Sequence, residues 1–230
     1  MSFEQWARSW EAVPLAEATE RYDIGEASNE LVDGPEDILG DEPECFFVHR
    51  GHLTVDGPLV MGNGPHEAVD TVYVIDGDLT VNGPMRFVNM DVYTPLYVTG
   101  SVTAEDLLCL LDCNLIVGGS LTVGGLLMTE LADAGMLVVH GATSAGAWLE
   151  AWDRGEVALL QDLEGRRLRI RDSHYDEQAE AEDAADVLSP GLLDGGTEDL
   201  SDRLWKAALE GRPLLRPGIR PPAGTGGNDE

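Results

Sequence analysis

One glycine-punctuated unit recurs through the middle of this chain and limits what it can fold into. The clearest copy is Leu115-Ile-Val-Gly-Gly-Ser-Leu-Thr-Val-Gly-Gly-Leu-Leu127. Upstream lie Val48-His-Arg-Gly-His-Leu-Thr-Val-Asp-Gly-Pro-Leu59 and Val74-Ile-Asp-Gly-Asp-Leu-Thr-Val-Asn-Gly-Pro-Met85, and weaker copies begin at Tyr97 and Leu137. Aligned on the glycine before the Leu-Thr-Val run, the copies place Gly51, Gly77, Gly100, Gly119 and Gly141 at separations of 26, 23, 19 and 22 residues by subtraction. A repeat of roughly 20 residues is the mark of a solenoid, in which each unit leaves a face that only its neighbour buries. Within each unit the apolar residues alternate (Leu53 and Val55, Leu79 and Val81, Leu121 and Val123), which is the strand signal. Helical repeats would need about ten or more residues of 3.6 periodicity per unit, and none fit between these glycines.

The competing architecture is an antiparallel sandwich with hairpins at Asp76-Gly77 and Asn82-Gly83. Hairpins would reverse alternate strands, whereas the glycines keep one register through five copies. The expected fold is therefore all-β: a short parallel β-solenoid (β-helix) of about five to six coils, with helical caps at the N- and C-termini. Five coils stacked about 4.8 Å apart give a rod roughly 24 Å long.

The divisions follow from pattern and composition. Residues 1–44 read as an N-terminal helical cap and acidic linker. Phe3, Trp6, Trp10 and Val13 form one stripe of a helix over Phe3–Val13, capped by Ser2 and stopped by Pro14, which docks on the first coil. Residues 45–172 read as the solenoid, with Ala147–Arg154 departing from the repeat and a last degenerate coil built on Val157–Gln161 and Arg167–Arg171. Residues 173–216 read as an acidic helical C-terminal cap, with one helix over Asp176–Val187 and a second over Asp199–Glu210 that stops at Gly211. Residues 217–230 read as a disordered Pro/Gly-rich tail.

Charge narrows the function. The 230 residues carry 43 acids against 14 bases, a formal net charge of −29, and Lys206 is the single lysine. That balance disfavours nucleic acid and anionic membrane as partners. It fits a basic protein partner, mimicry of nucleic acid, life in high salt, or solubility alone. Cys45, Cys109 and Cys113 are an odd set without a second ligand pair, so Cys109 and Cys113 read as core cysteines, with no metal and no cofactor expected. The scattered histidines form no metal or catalytic motif. The start of the chain has no signal-peptide pattern, and a cytoplasmic protein is expected. A carboxylate column at the equivalent positions Asp56, Asn82, Glu105 and Gly124 is interrupted, and no catalytic residue is assigned; a non-enzyme is expected.

The Arg166, Arg167, Arg169 and Arg171 cluster is expected to pair with neighbouring acids such as Glu164, Asp172 and Asp176. The acid run Asp176, Glu177, Glu180, Glu182, Asp183 and Asp186 is the candidate protein-binding surface, steering a basic partner by charge.

The units around Leu115–Leu127 and Leu137–Ala145 resemble the hydrophobic-Gly-Asp-Leu-Thr-Val-x-Gly repeats of bacterial β-solenoid proteins of the polymer-forming, bactofilin-like kind. The resemblance covers roughly residues 45–172 and implies the solenoid architecture. It also implies either an immunity or interaction protein or a self-assembling scaffold. The candidate helices at both ends depart from the uncapped rods of true bactofilins. The expectation is an acidic, non-catalytic solenoid, monomeric or a small homo-oligomer, that binds a basic protein partner as an immunity or inhibitor protein. The alternatives are a bactofilin-like scaffold and a nucleic-acid-mimic or carbohydrate-active protein.

Overall fold

The computed structural model describes residues 3–62, 71–90, 94–170, 181–194 and 199–219. Six stacked passes of chain occupy residues 45–61, 73–89, 96–111, 114–131, 136–153 and 156–169, and about five turns separate the first from the last. Each pass contributes to three flat walls. Wall 1 stacks Cys45–Arg50, Tyr73–Asp76, Leu96–Val98, Asn114–Val117, Met136–Val139 and Glu156–Leu159. Wall 2 stacks Leu53–Asp56, Leu79–Asn82 and Val102–Ala104 on the first halves of Leu121–Leu131, Thr143–Asp153 and Leu163–Arg169. Wall 3 stacks Leu59–Met61, Met85–Asn89 and Leu107–Leu111 on the second halves of those same strands. Every pairing between successive passes is parallel, which settles the solenoid against the sandwich.

The aligned glycines form the column that the repeat requires. The amide of Gly141 donates to the carbonyl of Gly119 (2.9 Å), Gly119 to Gly100 (2.8 Å) and Gly100 to Gly77 (3.0 Å). A Cβ on Gly119 would stand 2.7 Å from the carbonyl carbon of Gly100, closer than non-bonded atoms tolerate, so this corner admits no side chain.

Alternation sends one row of side chains inward. Tyr73, Leu96, Leu115 and Leu137 from wall 1, Leu79, Val102 and Leu121 from wall 2, and Met85, Leu107 and Leu127 from wall 3 are all fully buried. Complete burial of each such side chain stabilises by about 1.5–3 kcal/mol. Cys109 and Cys113 lie in this core as free thiols, and burial raises the Cys113 thiol well above its ordinary range. Ala147–Arg154 does not leave the repeat. Leu126, Leu127, Met128 and Thr129 pair with Ala147, Trp148, Leu149 and Glu150. The bulky Trp148 is accommodated because its Nε1 donates to Thr129 Oγ1 of the pass before it (2.9 Å).

Walls 1 and 3 are apolar on their outer faces as well, which parallel strands flanked on both sides require. The terminal segments cover them. On wall 1, Ala18, Tyr22, Ile24, Ala27, Ile38 and Leu39 pack against Val48, Val74, Ile116 and Val138. Residues 17–44 are thus a strap rather than a linker, built from the short helices Leu15–Arg21, Ile24–Ala27 and Pro35–Leu39. On wall 3, Leu200, Leu204, Trp205, Leu214 and Leu215 pack against Leu108, Leu126, Met128 and Leu149. The C-terminal segment is accordingly a lateral clamp more than a plug for the rod's end.

The N-terminal helix ends earlier than its stripe implies. It spans Phe3–Ala7, and Glu11–Pro14 is a strand antiparallel to Cys45–Arg50. The unpaired edge of the first wall 1 strand wins those residues, because an open ladder offers their backbone more bonds than another helical turn. The docking of Phe3, Trp6 and Trp10 on the first coil stands: Phe3 meets Trp6, Trp10 and Tyr73 edge-on with ring centroids 5.9, 5.5 and 5.6 Å away. The N-cap Ser2 lies outside the described residues. At the other end, residues 176–180 of the expected helix over Asp176–Val187 lie outside the described residues, and within the described part the helix spans Ala184–Val187. Glu182–Asp183 instead pair in parallel with Leu168–Arg169, covering part of the last strand edge. The second helix, Leu200–Leu209, agrees with expectation, and Gly211 follows at φ +66°.

Candidate protein-binding surface

Two concavities lie where the strap crosses wall 1. A groove of about 700 Å³ runs between strap and wall, bounded by Glu26, Glu30, Asp33, His140 and Leu160. A smaller one of about 350 Å³ adjoins it at Glu20, Asp23, Tyr97 and Thr99. Local chemistry explains this placement. Asp23 Oδ1 accepts the amide of Glu26 (3.1 Å), capping Ile24–Ala27. Ile24 and Ala27 then turn onto the wall, so Glu20, Glu26 and Glu30 point to solvent along the groove. His140 fixes the groove floor, with Nε2 2.7 Å from the carbonyl of Ala27.

The bases nearest this groove are already engaged. Arg21 pairs with Asp76 (2.7 Å), and Arg50 bridges Glu11 (2.8 Å) and Asp76 (3.2 Å). Tyr22 Oη donates to the same Asp76 carboxylate (2.9 Å). Burial pushes the Asp76 carboxyl up, but the Tyr22 and Arg50 hydrogen bonds and the two guanidinium charges outweigh it and hold it below its ordinary 3.8. Burial beside that carboxylate pushes the Tyr22 phenol up to about 12. Among the described residues, Glu20, Glu26 and Glu30 make no ion pair. The groove therefore carries uncompensated negative charge.

The acid run read from the sequence is distributed differently. Asp176, Glu177 and Glu180 lie outside the described residues. Glu182 pairs with Arg166 (3.1 Å), Asp183 accepts the amide of Ala185 (3.0 Å) to cap the short helix, and Asp186 is exposed. Two of the three described members thus serve the clamp's own attachment. Of the arginine cluster, Arg166 takes that acid partner, while Arg167 lies over the Trp148 ring, 5.3 Å from its centroid. Arg171, Asp172 and the Asp176 pairing are outside the described residues.

Wall 2 is the side that neither strap nor clamp contributes an apolar cluster to. Its outward column runs Thr54, Thr80, Thr103, Thr122, Ser144 and Glu164 in continuous register. The interrupted carboxylate column beside it is partly self-satisfied, Asn82 Nδ2 donating to Asp56 Oδ1 (2.8 Å). No group of three or more His, Cys, Asp or Glu side chains is arranged for a metal among the described residues. Among the same residues no helix is long and apolar enough to cross a membrane.

The strap groove escaped the sequence reading because its acids are dispersed among four- to seven-residue helices. The available signal was the apolar spacing Leu15, Ala18, Tyr22, Ile24 and Ala27 hidden inside an acidic stretch. Compared with family models, with curated proteins and with solved structures, the chain gives no significant match.

Proposed function

We propose that this protein is a non-catalytic binding module whose strap groove receives a basic segment of a protein partner, in the manner of an immunity or inhibitor protein acting on a basic toxin or enzyme. The observation that carries this reading is the concave row of Glu20, Glu26 and Glu30, open to solvent and free of ion pairs among the described residues, while nearby arginines are held by Asp76 and Glu11. Charge complementarity of this kind speeds encounter and selects against acidic partners. A cytoplasmic setting, with no role for nucleic acid or membrane, belongs to the same proposal.

The test uses Glu20→Gln, Glu26→Gln and Glu30→Gln together, which leaves Asp23 and its helix cap intact. A partner captured from the native cell and then purified should bind the parent chain more weakly as salt rises, and the triple variant more weakly still at low salt. Equal binding by parent and variant at every salt concentration would remove the groove from the proposal.

A further inference from the structure

The two ends of the rod are built differently. At the N-terminal end, Glu11–Pro14 pairs along the first wall 1 strand, the Phe3, Trp6 and Trp10 rings lie against the core, and the buried Glu4 carboxylate accepts the amide of Gly62 (2.7 Å). At the C-terminal end the inward rows lose their cover. Leu137 and Val139 are fully buried, yet Val157 and Leu159, which follow them in register, are only half-buried, as is Leu163 of wall 2. Leu160 is 43% exposed. Glu182–Asp183 shields only the wall 3 part of this edge, and among the described residues no strand pairs beyond Glu156–Leu159.

The direction of the free backbone groups follows from the ladder. The amide of Glu156 donates to Gly135 (2.9 Å) and that of Leu160 to Val139 (3.0 Å). Alternation therefore aims the amides of Val157 and Leu159 away from the sheet. A two-fold axis perpendicular to wall 1 makes this edge its own partner: the same strand, run antiparallel, meets those amides with the matching outward carbonyls of Val157 and Leu159.

We propose that the C-terminal coil is the interface for a second copy of this chain, forming a closed two-fold dimer. The wall 1 edge strands pair antiparallel, Val157 of one copy opposite Leu159 of the other, and Val157, Leu159, Leu160 and Leu163 are buried between them. Because a two-fold contact uses the same edge on both copies, assembly stops at two and does not propagate into a filament. The strap groove stays open in this dimer, so each copy keeps its own binding surface.

Sedimentation velocity over a concentration series of the full chain tests this. The expected result is a reversible monomer–dimer equilibrium whose limiting mass is twice 24.8 kDa. The dimer tightens as salt rises, because screening relieves repulsion between two bodies of net charge −29. That response is opposite in sign to the one expected of a basic partner, so the two proposals fail separately. Val157→Pro deletes a free-edge amide without touching the ladder to the preceding coil, and should weaken the dimer by roughly tenfold or more. Leu160→Lys, at an exposed position, should weaken it as well and serves where the proline variant does not fold. A chain that stays monomeric at the highest concentrations, one that forms a series of larger species, or a dimer unaffected by both variants would overturn the proposal.

Discussion

The strap and the clamp perform the same task on opposite walls and do it with different forces. The strap reaches wall 1 through a modest apolar set and then locks down with charge, Arg21, Arg50 and Tyr22 converging on Asp76. The clamp reaches wall 3 through Leu200, Leu204, Trp205, Ala207, Leu214 and Leu215, with the ion pair Arg86–Asp202 (2.8 Å) at its margin. The carboxylates beneath them are tuned in opposite directions. The Arg50 hydrogen bond lowers Glu11, and hydrogen bonds and guanidinium charge lower Asp76 against the effect of burial. Burial raises Glu130 under the clamp helix despite a hydrogen bond from Ser201, and raises Asp106, at the corner leading into wall 3, to about 6. One covering is thus held by ionised groups, and the other rests over groups that favour the neutral form.

Leu204→Ala should have the largest effect. Leu204 is fully buried in the clamp interface, and its truncation should cost about 3 kcal/mol in urea unfolding. Hydrogen exchange should show protection lost on wall 3 and the strap unchanged; equal loss on both sides would erase the distinction. Gly119→Ala is the complementary lesion. Its new Cβ meets the Gly100 carbonyl, so the stack itself must shift, at about 2 kcal/mol, and both coverings should loosen together.

Asp76→Asn strikes the strap alone. A cost of about 1–2 kcal/mol is expected at low salt, shrinking as salt screens the arginines it serves. An effect independent of salt would mean that the strap, like the clamp, is held by packing.

Acid titration separates Asp76, under the strap, from Asp106, at the wall 2–wall 3 corner, by sign. With Asp76 below 3.8 in the folded state, the unfolded chain binds the proton first as pH falls. The contribution of Asp76 is therefore present above pH 3.8 and lost as pH drops through the folded value. Asp106 behaves inversely. Between pH 3.8 and about 6 the folded state keeps a proton that the unfolded state has released, so stability declines as pH rises across that window. Asp106→Asn should flatten this decline in unfolding experiments compared pH by pH with the parent chain. The smallest effect belongs to the bare wall: Thr103→Val on wall 2 should change stability by no more than about 0.5 kcal/mol.

The solenoid was legible because its constraint is local and repeated. Gly77, Gly100, Gly119 and Gly141 must each avoid a side chain at one corner, and Leu-Thr-Val must alternate along one wall. The coverings were not legible in the same way. Ile24–Ala27 is four residues and Pro35–Leu39 five, too short for a helical period to emerge, and tertiary contact rather than propensity holds them. Glu182–Asp183 has no strand character of its own; the free edge of Leu163–Arg169 imposes it. The helix Leu200–Leu209, ten residues with one apolar face and a glycine stop, was readable for the opposite reason. Charge was plain in the composition, but its concentration along the strap depends on which faces Ala18, Tyr22 and Ile24 bury.

The contact between His140 and the carbonyl of Ala27 joins residues 113 positions apart. During synthesis the strap is made before the rod, and Ile116, Val138 and His140, part of its seat, follow much later. The strap can dock first on Val48, Val74 and Asp76, and its contacts with Ile116, Val138 and His140 are added as the rod grows turn by turn beneath it. The clamp is made after the wall it covers and meets its whole seat, Leu108, Leu126, Met128 and Leu149, at once.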